Sequence, residues 1–177
     1  KTQAEEFRHL RLHNGTIWRW NRPLIGFDSD NTPHLRIEHR VCASAPSTLD
    51  NIANIAFYYG LVHHYANLER PPEFDMPFTE AKDNFYRAAQ VGLKHKTRWF
   101  DKNTDTMQKI ILDRLLPEAE TGLYKLGIDQ QDSKRYLSII EQRASSSLTG
   151  SQWQLNFLNA HQDDCTLLTL NYLRNQK

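Results

Sequence analysis

The sequence predicts an α+β fold dominated by helices, in which an N-terminal antiparallel β-hairpin precedes roughly six or seven helices. Three observations carry this. His13–Pro46 is the only strand-like stretch: two β-rich runs, Thr16–Arg22 and His34–Val41, flank a turn-rich connector holding Gly26, Asp28, Ser29, Asp30, Asn31 and Pro33. From Ser47 onward the apolar residues recur at helical spacing. No glycine pattern of the Rossmann or P-loop kind interrupts them, which argues against a mononucleotide fold of those types.

The elements follow in order. Phe7, Leu10 and Leu12 suit a short helix within residues 1–12. After the hairpin, Ser47 with Asp50 resembles a capping box and starts a helix carrying Leu49, Ile52, Ala53, Ala56, Phe57, Tyr59, Gly60 and Val62. That helix is apolar around much of its girth, so it is expected to be central and buried, ending near Glu69 before Pro71-Pro72. Thr79 is expected to cap a second helix through about Leu93, and the polar, basic segment Lys94–Thr104 reads as a solvated loop. From Thr106 a third helix runs to Pro117, which kinks it or opens a fourth, and Gly127 is a C-cap candidate. Gln130–Ala144 forms another amphipathic helix. Residues Ser145–Gly150 read as a linker or turn, and two closing helices cover Ser151–Ala160 and Asp163–Leu173.

Bulk properties narrow the function. At 177 residues one domain is expected over 1–177, with the hairpin at 13–46 and the helical part at 47–177. A net charge of +1 supplies no general field toward nucleic acid or membrane, so anion binding must be local. No apolar run reaches the ~20 residues of a membrane span, and a cytoplasmic location is expected. Cys42 and Cys165 lack metal-type spacing and read as free buried thiols, with a pairing left open. The start at Lys1, rather than Met, suggests part of a longer protein, whose upstream part would then be a partner; homo-oligomers remain compatible.

In a strand, residues two apart share a face, so Arg36, Glu38 and Arg40 line one side of the second strand. Leu35, Ile37 and Val41 lie opposite, with His39 among them, and Trp18, Trp20 and Arg22 share a face of the first strand. A carboxylate between arginines suits the grip of a phosphate, a carboxylate or a divalent metal. Its plainer reading is an exposed charge ladder worth ~0.2–1 kcal/mol per cross-strand pair. His63 and His64 point about 100° apart on a helix and cannot chelate together. No Ser-His-Asp or Cys-His nucleophile arrangement can be placed from the sequence.

The run GTIWRWNRP, then LRIEHRV, then a Pro-Ser-Thr-Leu-Asp helix start resembles the C-terminal part of the bacterial glutamate–cysteine ligase type 2 family, the ATP-dependent carboxylate–amine ligases. Arg87-Ala88-Ala89-Gln90-Val91-Gly92-Leu93 resembles that family's Arg-x-x-x-Gly-Leu helix, and Leu116-Pro117-Glu118-Ala119 its Pro-containing helix start. The resemblance extends from Gly15 to about His161 and is densest over residues 15–60. Trp20 stands where many members carry an Asp.

This resemblance implies part of a glutamine-synthetase-like catalytic fold. Such a ligase uses ATP and Mg²⁺ to phosphorylate the γ-carboxylate of glutamate, and an amine such as cysteine then displaces phosphate. By the same resemblance Glu38 is a metal ligand, Arg22 and Arg40 are catalytic, and Arg22, Arg36, Arg40 and Arg87 bind substrate or ATP. The alternative is a non-catalytic helical interaction domain that docks through its exposed hairpin.

Overall fold

The computed structural model describes residues 7–16, 18–43, 45–100 and 102–176. Residues 1–6 of the expected leading helix and Ile17 of the expected first strand lie outside them. Within these residues the fold is α+β, with an antiparallel hairpin followed by a succession of helices. The chain divides into two compact units, Lys1–Ser44 and Ala45–Lys177.

In the first unit, helix α1 (Arg8–Thr16) precedes strands β1 (Asn21–Phe27) and β2 (Pro33–His39). The first strand lies further along the chain than its composition suggests: Thr16 closes the helix, and Gly26 belongs to the strand rather than the turn. Two local facts explain the shift. Gly26 pairs with His34, whose imidazole occupies the space a Cβ at position 26 would need. Pro23 pairs with Ile37 between the hydrogen-bonded pairs, where a strand needs no N–H on that side. The turn is then only Asp28–Thr32, closed by Asp28 N–H on Thr32 O at 3.0 Å, with Asn31 in the left-handed region at φ 66°. On its other side β1 meets α1. The Asn14 amide donates to Pro23 O, and the Phe7 and Phe27 rings lie 6.1 Å apart.

The second unit opens with α2 (Thr48–Ala66), capped as expected: Ser47 Oγ accepts from Asp50 N–H at 3.2 Å. The same hydroxyl donates to Asp50 Oδ2 at 2.6 Å, while Arg143 donates to Asp50 Oδ1 and Asn54 Oδ1, both at 2.9 Å. Helix α3 (Phe78–Val91) follows, and its start differs from expectation. Pro77, with φ near −59°, already holds the chain in the geometry that precedes a helix, so the turn begins before Thr79 and no side chain caps it. Lys94–Thr104 is not a simple solvated loop. It contributes β3 (Lys96–Arg98), paired antiparallel with β4 (Thr104–Thr106), and buries His95 and Thr97.

Thr106 caps α4 (Met107–Ile110), which passes through a π-helical turn (Ile111–Leu115) into α5 (Leu116–Lys125). Pro117 therefore opens a new helical segment, and the wider turn before it accommodates a residue without an N–H. Gly127, at φ 76°, ends α5: its N–H reaches Tyr124 O at 3.0 Å and Ile128 N–H reaches Leu123 O at 3.1 Å, the Schellman arrangement. Then come α6 (Gln130–Ser145), α7 (Gly150–Ala160) and α8 (Cys165–Asn175). Trp153 of α7 packs beside Tyr172 of α8 at 6.0 Å.

The core of this unit lies where α2, α5 and α6 meet, built from Ala119, Leu123 and Leu137 with Ala56, Phe57, Leu61 and Leu116. Helices α2 and α5 cross backbone to backbone at Gly60 and Gly122. A Cβ on Gly122 would sit 2.7 Å from the Gly60 carbonyl carbon, and one on Gly60 would sit 2.9 Å from that of Ala119. Only the side of α2 that carries Ala53, Ala56, Phe57, Gly60 and Leu61 is covered. Leu49, Ile55, Tyr59 and Val62 stay exposed, so the helix is central without being buried all round. Cys42 and Cys165 are both free and exposed, which corrects the expectation of buried thiols. No helix among the described residues is long and apolar enough to cross a membrane.

Candidate functional site

The period-two alternation of the hairpin brings three of the expected site residues together. Arg22 of β1 pairs directly with Glu38 of β2, and Arg40 lies two residues further on the same face. Arg40 N–H donates to Trp20 O at 2.8 Å, which extends the pairing past the strand end and fixes the Arg40 backbone. Arg22 Nη2 meets Glu38 Oε2 at 2.5 Å, and Arg40 Nε donates to Glu38 Oε1 at 2.8 Å. Both carboxylate oxygens are thus held by guanidinium groups.

Further contacts immobilise the two cations. Arg22 Nη1 donates to Gly15 O at 3.1 Å. The Arg40 guanidinium lies 4.4 Å from the Trp18 ring centroid, a cation–π contact that uses the exposed Trp18 as a backing plate. Arg22 Nε is buried without a hydrogen-bond partner among the described residues. The Arg40 guanidinium beside Glu38, with that of Arg22, holds the Glu38 carboxyl below its ordinary pKa against a smaller opposing effect of burial. Two cations around one anion leave the cluster with surplus positive charge, the condition for attracting a further anion.

Not every expected residue joins. Arg36 faces Leu24 across the strands and is exposed, without an ion pair among the described residues. Arg87 lies exposed on α3 in the other unit, also without an ion pair there. Magnesium binds through one or two carboxylates together with waters and phosphates. Glu38, the expected metal ligand, has both oxygens beside guanidinium groups, and its Oε2, though within ion-pair distance of Arg22, is buried without a hydrogen bond among the described residues. No group of three His, Cys, Asp or Glu that could hold a metal exists among the described residues.

The opposite face carries a constellation that the sequence did not reveal. Asn21 and His39 are register partners, and His39 Nδ1 lies 2.6 Å from Asn21 Oδ1. Its Nε2 lies 3.8 Å from Cys42 Sγ. Burial lowers the pKa of His39, which favours a neutral imidazole. These residues are 18 and three positions apart, so only the hairpin register discloses them.

No family model, curated protein or solved structure matches the chain.

Proposed function

We propose that this chain is the C-terminal portion of an ATP-dependent carboxylate–amine ligase of the glutamate–cysteine ligase kind, built on a glutamine-synthetase-like fold. The observation that carries the reading is the convergence of Arg22 and Arg40 on one carboxylate at the base of the hairpin. Acyl-phosphate chemistry concentrates negative charge on a transferring phosphoryl group and on the acid it activates. Arginines held in fixed geometry stabilise such charge without reorganising. In this reading Arg22 and Arg40 grip phosphate or the glutamate carboxylate, Arg36 is an outer contact on the same strand, Glu38 orients the two guanidinium groups, and Arg87 is a binding residue by the resemblance alone. ATP supplies the phosphoryl group, and an amine such as cysteine accepts the acyl group.

Titration calorimetry of ATP, with and without glutamate, into this chain and into the longest form the gene encodes tests the proposal. Binding is expected in the long form, with a loss of about tenfold or more on Arg22→Lys, which keeps the charge but removes the planar fork. An Arg22→Lys protein that binds and ligates as the parent does would refute the assignment.

A second reading has its own observation. Trp18, Leu35 and Ile37 are 72%, 80% and 56% exposed on the hairpin, which suits a non-catalytic domain docking on another polypeptide. Retention of a partner protein by the parent chain and not by Leu35→Asp, with no ATP bound by any form, would favour it.

A further inference from the structure

We infer that Cys42 is a nucleophilic thiol, with His39 as its general base and Asn21 as the residue that positions the base, and that its substrate class is a small disulfide. The inference does not rest on the ligase reading.

Three contacts define the arrangement. The side-chain oxygen of Asn21 can only accept, so at 2.6 Å it requires the hydrogen of His39 on Nδ1. That tautomer leaves the lone pair on Nε2, the atom 3.8 Å from Cys42 Sγ. The thiol is then the donor and the imidazole the acceptor, the polarity a nucleophilic cysteine needs. Asn21 and His39 are held by the strand pairing itself, so the base is anchored by backbone and side chain together. Cys42 lies just beyond β2 and is exposed, which leaves the sulfur open to an approaching molecule.

The reaction balances without an added oxidant. Cys42 sulfur attacks one sulfur of the disulfide as its proton passes to His39 Nε2. The S–S bond of the substrate breaks, a new S–S bond joins Cys42 to one half, and the other half leaves as a thiolate that recovers the proton from the imidazolium. One protein thiol and one disulfide become one mixed disulfide and one free thiol. Exchange of this kind proceeds in line through three sulfurs and needs no oxyanion hole, so the arrangement suits it better than acyl transfer.

The test uses the Cys165→Ser protein, which leaves Cys42 as the sole thiol, and follows the absorbance released from 5,5′-dithiobis(2-nitrobenzoate) at pH 7, then repeats it with uncharged 4,4′-dithiodipyridine to remove steering by Arg40. Cys42 is expected to react about tenfold faster than glutathione with both reagents, and His39→Gln to remove that excess. Asn21→Ala is expected to slow the reaction, and Asn21→Asp, which keeps an acceptor for Nδ1–H, to restore it. Unfolding cannot mimic that rescue. A rate no faster than glutathione, an excess confined to the anionic reagent, or a His39→Gln protein as fast as its parent overturns the inference.

Discussion

Replacing Gly122 with Ala should destabilise the helical unit, although alanine is the better helix former. A Cβ there would lie 2.7 Å from the Gly60 carbonyl carbon. Ordinary carbon–carbon contact begins near 3.5 Å, so the deficit is about 0.8 Å, and the obstacle is backbone rather than a side chain that could rotate away. Helices α2 and α5 must therefore separate. A gap of 0.5–1 Å forfeits about a quarter to a half of each dispersion contact across the crossing, where Phe57, Leu61, Leu116 and Leu123 meet. Overpacking of this kind costs about 1–3 kcal/mol, and rigid groups on both sides put it near ~3. Exchange of Gly for Ala in a helix returns about 1 kcal/mol, leaving a net loss of ~2 kcal/mol, or a melting temperature lower by about 4–8 °C. Urea unfolding followed by circular dichroism measures it, with Gly150→Ala as control because nothing lies within 4 Å of its Cβ position. If Gly122→Ala were stabilised by the ~1 kcal/mol that propensity alone supplies, the backbone-to-backbone crossing would be refuted.

Other outcomes follow from local chemistry. Ser47→Ala removes the cap on α2 and should cost about 1 kcal/mol in the same assay, whereas Ser47→Gly should cost only a few tenths; a Ser47→Ala protein as stable as its parent would deny the side chain its role. The Glu38 carboxyl, held below its ordinary value of 4.5, should titrate below that value when its carboxyl carbon is followed by NMR. A depressed carboxylate contributes stability that is complete above the unfolded pKa and is lost as the pH falls through the folded one. The hairpin should therefore loosen on acidification below about 4.5, and Glu38→Gln should lose this acid-linked component. A Glu38 midpoint at or above 4.5 would contradict the paired geometry.

Much of the fold is legible from periodicity because periodicity is what packing reads. Arg36, Glu38 and Arg40 share a face in any register of β2, so the Glu38–Arg40 pair is visible from periodicity, whereas the meeting of Arg22 with Glu38 is set by the strand register. Strand ends are less legible, since Gly26 and Pro23 signal a turn locally but are tolerated by their cross-strand neighbours. The β3–β4 hairpin is hidden because strands of three residues carry no period, and because His95 and Thr97, polar in type, are buried. The girth of α2 misleads for a different reason: its closest packing is made by Ala53 and Gly60, and although Phe57 and Leu61 face the core, Leu49, Ile55, Tyr59 and Val62 face outward. Asn21, His39 and Cys42 are beyond reach of sequence alone, since their meeting depends on a register that no spacing rule supplies.

Glu38 gives the hairpin a resident counterion. An anion arriving at Arg22 and Arg40 does not enter an empty cradle. It exchanges with a carboxylate tethered to the same strand and already making short contacts of 2.5 and 2.8 Å. A singly charged ion such as chloride would replace like with like and gain little from the exchange. A phosphate dianion or a carboxylate beside a phosphate brings enough charge to engage both guanidinium groups while Glu38 turns aside. Under the proposed function the cluster would act as a filter as well as a grip, weakly responsive to singly charged anions and more responsive to those that carry charge in pairs.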